Sequence, residues 1–231
     1  MGLYGWYTML VYATPIIGGF IADKLTGYRK AILIGSLLMT LGHASMALEG
    51  LDANFFFAGL GLMILGNGMF KPNISSMVGQ LYPNTSSKKD AGYTIFYMGI
   101  NAGAFLGSLL CGYLGEKIGW HYGFGLAGVF MFFGMLQFYV GQRIFGVIGE
   151  EPKKEKVVEV NEDDNIPKHV VRDRLIVVAV LMVASIFFFL AFEQAGGSMT
   201  IFAKNYTQRI LEGAQAVTFK WIDALLTLIP I

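Results

Sequence analysis

Residues 66–80 read GNGMFKPNISSMVGQ and set Lys71 inside an otherwise apolar, glycine-rich run. An ammonium group in hydrocarbon costs ~2.5–3.5 kcal/mol on insertion scales, so a chain keeps one only where water, an opposite charge or a ligand compensates it. Snorkelling is no remedy: the run from Lys71 to Tyr82 covers ~16 Å at 1.5 Å per residue, well beyond a lysine stem. The neighbours are equally unusual. Gly66, Gly68 and Gly79 thin the helix, Pro72 frees a backbone carbonyl, and Asn67, Asn73 and Ser75 add polar groups. At membrane depth such groups require neighbouring helices or a watery cavity, and the expectation from this stretch is a cavity that Lys71 faces.

The rest of the chain agrees with a membrane setting. Of the 231 residues, 55% are hydrophobic and 14% charged, against roughly 25% charged in an average soluble domain. Apolar runs fall at about 4–22, 31–48, 54–81, 92–115, 121–142 and 174–203, each long enough to span, and a seventh begins near 218. Twelve of the seventeen basic residues lie in alternate connections: Lys24, Arg29 and Lys30, then Lys88 and Lys89, then seven between Arg143 and Arg174. By the positive-inside rule these first, third and fifth connections face the cytoplasm. The insert Gly149–Lys168 mixes both charge signs with two prolines and no apolar period, and reads as a solvated cytoplasmic tether. The expected organisation is a helical bundle at 1–148, a linker at 149–171 and the start of a second bundle at 172–231. The N-terminus lacks the basic region and cleavage site of a signal peptide. The last apolar run stops about ten residues in, short of the ~20 a span needs, so the chain reads as a fragment. Cys111 stands alone and excludes an intramolecular disulfide. A net charge of +1 gives no reason to expect nucleic acid.

Two more runs carry polar chemistry. Gly99, Gly103, Gly107, Cys111 and Gly115 recur every four residues and predict a helix face that a neighbouring backbone approaches closely. Asn101 lies off that stripe, and its amide must meet either another helix or a ligand. In the 174–203 run, Glu193 follows Phe188, Phe189 and Phe192 and precedes Gln194, Gly196, Gly197 and Ser198. A carboxylate that aromatic side chains desolvate is a candidate proton carrier, with a static ion pair as the plainer alternative. His43, His121 and His169 are scattered, and neither H-E-x-x-H nor G-x-S-x-G occurs, so an enzyme is not expected.

The segment Gly19–Lys30, GFIADKLTGYRK, resembles the loop signature of the major facilitator superfamily between its second and third helices. GNGMFKPNISSMVGQLY, FYMGINAGAFLGS and FEQAGGS, in that order, are similar to stretches of the proton-dependent oligopeptide transporter family. The resemblance implies an all-α, multi-pass membrane fold of two six-helix bundles around a central cavity, here incomplete and covering about helices two to eight of twelve or more. The family's first helix, with its Glu-x-x-Glu-Arg motif, is absent from these residues. By the same resemblance Tyr12, Lys71, Asn101, Phe189, Glu193 and Asp223 line the substrate site, with Phe189 where a tryptophan is common and Asp223 where an asparagine is usual. Glu193 and Lys71 then couple protons to substrate, and Asp23, Arg29 and Lys30 form a conformational latch. The implied function is proton-coupled symport of di- and tripeptides by alternating access in the inner or plasma membrane. A facilitator of another small solute, such as nitrate or a drug, is the alternative. The implied partners are short peptides, protons and the lipid bilayer, with no cofactor, metal or partner protein.

Overall fold

The computed structural model describes residues 2–82, 88–151 and 167–206. Its elements are α1 (Gly2–Ile21), α2 (Gly27–Ala47), α3 (Ala53–Gln80), α4 (Lys88–Lys117), α5 (Trp120–Gly141), α6 (Lys168–Phe192) and α7 (Ser198–Tyr206). No strand occurs among the described residues. Five stretches are long and apolar enough to cross a membrane: Gly2–Ala47, which holds α1 and α2, then Ala53–Gln80, Lys88–Lys117, Trp120–Phe145 and His169–Phe192. The predicted seventh run, with Asp223, lies outside the described residues.

The helices fall into two compact units, α1–α5 in one and α6 and α7 in the other. In the first unit α3 packs on both α1 and α2, α2 packs on α5, and α5 packs on α4. Glycines permit the closest of these approaches. On α2 and α3, Gly35 faces Gly66 and Gly42 faces Gly59: a Cβ at Gly66 would lie 2.8 Å from Gly35 O, and one at Gly59 would lie 2.7 Å from Gly42 O. The paired positions are seven residues apart on each helix, two turns of one face, and in lipid this backbone contact replaces the hydrophobic drive that holds soluble helices together.

Three expectations need correction. The first connection is no loop. A five-residue π-helical turn, Ala22–Thr26, follows α1 directly, and the chain enters α2 through Gly27 at φ 72°. Among the described residues, the glycine stripe of α4 meets a neighbour only at its C-terminal end, where a Cβ at Gly115 would strike the Trp120 ring and Cys111 O lies against Gly123 of α5. Gly99, Gly103 and Gly107 have no described atom within 4 Å of their missing Cβ positions. Finally, the 174–203 run is not one helix. It begins at Lys168, directly after Pro167, and breaks at Glu193 into a 3-10 turn, Glu193–Gly196, before α7. Proline suits the position before a first helical turn, where its missing N–H has no intrahelical use. Gly196 and Gly197 disfavour continuing the helix past the break.

Candidate functional site

Lys71 lies on an exposed face of α3, and its ammonium nitrogen sits 5.0 Å from the ring centroid of Tyr12 on α1. Two residues predicted from separate helices are thus brought together. Tyr12 is 49% exposed, so the pair is open on one side. A cation over an aromatic face gains ~0.5–1 kcal/mol at exposed sites and ~2 kcal/mol when desolvated, which offsets part of the cost of holding a lysine at membrane depth.

The polar residues around Lys71 have a role that sequence reading assigned to a cavity: they bond backbone carbonyls of α1 and α3, one of them freed by proline. Pro15, inside α1, lacks the N–H that would bond Val11 O, and Asn67 Nδ2 of α3 donates to that carbonyl at 3.1 Å. Pro72, inside α3, leaves Gly68 O without its helical donor, and this carbonyl lies against Gly18, where a side chain would strike it. Asn73, 1% exposed, donates its amide to Gly18 O at 3.3 Å and to Met69 O at 2.6 Å. Thr14 Oγ1 is placed to donate to Leu10 O at 2.9 Å and Ile64 O at 3.1 Å. The α1–α3 contact is therefore polar as well as close. The carbonyl that Pro15 frees is answered by a side chain of the neighbouring helix.

Asn101, expected to meet another helix or a ligand, has one hydrogen bond among the described residues. It is exposed on α4, and its amide donates back to Tyr97 O of its own helix at 2.8 Å. In the second unit, Phe188, Phe189 and Phe192 form a mutual ring cluster with centroids 5.3–6.2 Å apart, Phe188 and Phe192 nearly parallel. Glu193 is the next residue, four positions after Phe189 and hence on its face, at the point where α6 gives way to the 3-10 turn. Ser198 Oγ donates to Gln194 Oε1 at 2.6 Å and ties that turn to the start of α7.

The corner between α1 and α2 is more built than the basic-residue count suggested. Asp23 sits in the π turn and accepts a 2.7 Å hydrogen bond from Tyr28 Oη. That bond, with burial and the Asp23 charge behind it, pushes the Tyr28 phenol up to about 12 and keeps it a donor. Arg29 wraps the end of the α5 segment. Its backbone N–H donates to Gly149 O at 2.9 Å, Nε to Ile148 O at 2.6 Å and Nη2 to Gly146 O, while Nη1 lies 3.7 Å from Glu150 and the guanidinium 5.9 Å from the Phe145 ring centroid. With a side chain only 12% exposed, Arg29 satisfies carbonyls of the turn segment that follows α5 and its short 3-10 extension. Lys30 pairs with Glu151 beside it, both exposed. Sequence reading missed this clasp. Its local signal was the pair Gly146 and Gly149, both at positive φ (58° and 75°), which bend the segment back onto Arg29.

The long apolar helices, with their polar and glycine-lined contacts, are those of a multi-pass helical membrane protein. The profile of the POT family matches residues 29–162. The chain belongs to that family. A di-/tripeptide transporter of Lactococcus lactis subsp. cremoris is 43% identical over 154 residues, 66% of this chain and 31% of that protein. The peptide transporter YePEPT of Yersinia enterocolitica subsp. palearctica serotype O:3 (strain YE-P4) is 31% identical over 283 aligned positions, 96% of this chain and 55% of that protein. The chain thus spans about a third to about half the length of these relatives. Among solved structures, a peptide transporter POT in complex with sulfate matches with TM-score 0.61 and 35% identity over 83% of this chain and 37% of that one. A POT family transporter in complex with 5-aminolevulinic acid matches with TM-score 0.61 and 28% identity over 87% and 37%. These are bundles of the major facilitator type, and this chain has their fold in part.

Proposed function

We propose that the protein carrying this chain moves di- and tripeptides together with protons across the inner or plasma membrane by alternating access, with the 149–171 linker on the cytoplasmic side. The observation that supports this best is the Lys71 ammonium held over the Tyr12 ring on an open face. A short peptide carries a carboxylate at one end and an ammonium at the other. Lys71 receives the carboxylate, Tyr12 and Asn101 flank it, and Phe189, Glu193 and Asp223 receive the amine end. Protonation of Glu193 cancels its charge and releases its partner, which links proton entry to substrate movement. Relatives named as peptide transporters favour this reading over a nitrate or drug facilitator. So does the relative that holds 5-aminolevulinic acid, a molecule that also pairs an amine with a carboxylate.

Recognition of both ends gives a direct test. In full-length protein reconstituted into vesicles, unlabelled dialanine and trialanine should compete with labelled dipeptide uptake. The C-terminally amidated dipeptide should compete at least ~10-fold less well, since it removes the charge that Lys71 meets. Equal competition by the amidated peptide, or strong competition by nitrate, would sink the reading.

Asp23, Arg29 and Lys30 act in this scheme as the latch of the resting conformation, with the Arg29 clasp fixing the start of α2 next to Asp23. Asp23→Asn should raise the labelling rate of cysteines introduced along the cytoplasmic half of α3 several-fold, by shifting the population toward the inward-open form. An unchanged rate would argue against the latch.

A further inference from the structure

The Tyr12–Lys71 pair is held by groups that touch neither substrate nor proton, and one of them is placed to aim it. Val11 O, the carbonyl that Pro15 deprives of its helical donor, belongs to the residue directly before Tyr12. Its donor is Asn67 Nδ2, at 3.1 Å. Asn67 precedes Lys71 by four residues, so the two side chains share one face of α3. On the other side of Tyr12, Thr14 Oγ1 reaches Ile64 O of α3 at 3.1 Å. Tyr12 therefore sits between two polar ties to the helix that carries its cationic partner. Pro15, three residues beyond Tyr12, leaves this part of α1 without the internal bond that would otherwise fix its path.

We infer that Asn67 is a positioning residue for the substrate site: by holding Val11 O it sets the register and rotation of α1 at Tyr12, and so directs the Lys71 ammonium toward the substrate carboxylate. This rests on the proposed peptide reading for its substrate, but the geometry it describes exists without one. The competing view makes Asn67 plain helix–helix glue, and the fold supplies its own control. Asn73 makes the same kind of amide-to-carbonyl tie between the same two helices, to Gly18 O, and that carbonyl lies six residues beyond Tyr12. Asn73 is the more deeply buried of the two. Glue predicts that removing either tie acts in proportion to lost stability. Positioning predicts that only Asn67 changes what the site does.

Three variants of the full-length protein are compared for dipeptide KM, maximal rate and melting temperature: Asn67→Ala, Asn67→Asp and Asn73→Ala. Asn67→Asp keeps the side-chain shape but offers Val11 O a carboxyl oxygen where the amide offered N–H. Both Asn67 variants should raise KM about 10-fold with the maximal rate within about 2-fold, whereas Asn73→Ala should lower the melting temperature at least as much and leave KM within about 2-fold. A second arm needs no substrate. With every native cysteine replaced, Cys111 among them, Tyr12→Cys and Lys71→Cys are joined by a short bifunctional thiol reagent, and adding Asn67→Ala should slow that cross-link at least ~3-fold while adding Asn73→Ala should not. If Asn67→Ala leaves both KM and the cross-link unchanged, or if both asparagine variants move them alike, Asn67 is glue and the inference is overturned. If the protein takes up no dipeptide yet Asn67→Ala alone slows the cross-link, the positioning role stands and the peptide reading has failed.

Discussion

Replacing Lys71 by alanine in the full-length protein should abolish uphill, proton-driven dipeptide uptake while the protein still reaches the membrane in normal amount. Removing one member of a hydrogen-bonded charge pair leaves the other partner desolvated and unmatched, at a cost of about 2–5 kcal/mol, or about 30- to 5,000-fold in affinity. The loss at the fold level is small by comparison. Alanine gives up a cation–π contact of ~0.5–2 kcal/mol with Tyr12 and also removes a charge that costs ~2.5–3.5 kcal/mol at membrane depth, so the melting temperature should stay level or rise. This split between lost function and kept stability separates a substrate residue from a structural one. Lys71→Arg, which keeps the charge but spreads it over a larger planar group, should retain part of the uptake. Normal accumulation by Lys71→Ala would remove the central residue of the scheme.

The second large effect is expected at Glu193. A glutamine there has nearly the same size and cannot exchange a proton, so accumulation driven by a pH gradient should fall at least ~10-fold. Exchange of labelled for unlabelled dipeptide across the membrane should persist, because it needs no net proton movement. The position suits such a carrier. Glu193 follows the Phe188–Phe189–Phe192 cluster and opens the 3-10 turn, where the backbone leaves the α6 ladder and the carboxylate is not locked into a continuous helix. Equal loss of gradient-driven uptake and of exchange would make Glu193 a binding residue only, and full retention of both would exclude it from the site.

The first five spans were legible, to within a few residues at each end, because long apolar runs have few alternatives, and Lys71 stood out because a charge among them is costly. What sequence could not supply was the identity of partners far along the chain. Asn67 and Asn73 were visible as polar groups near a proline, and a cavity was inferred to receive them. Their acceptors, Val11 O and Gly18 O, are backbone atoms more than fifty residues away. Arg29 and Lys30 entered as positive charges that orient the chain and, by resemblance, as part of a latch; their bonded partners were hidden, since the carbonyls of Gly146 and Ile148 lie more than a hundred residues on. The α2–α3 glycine pairs were similarly hidden: the spacing of seven is present within each helix, but which two helices meet is a property of the fold. The break at Glu193 was within reach, because Gly196 and Gly197 follow it directly; the run was taken as one span because its apolar length outweighed two glycines.

The claim that joins these observations is that a proton gradient moves a peptide past Lys71 and Glu193. It is tested most directly by full-length protein in sealed vesicles, neutral inside and acidic outside, supplied with a radiolabelled dipeptide. The account predicts accumulation above the external concentration and its collapse when a protonophore is added. Uptake that only equalises the two sides, or accumulation indifferent to the protonophore, would contradict it.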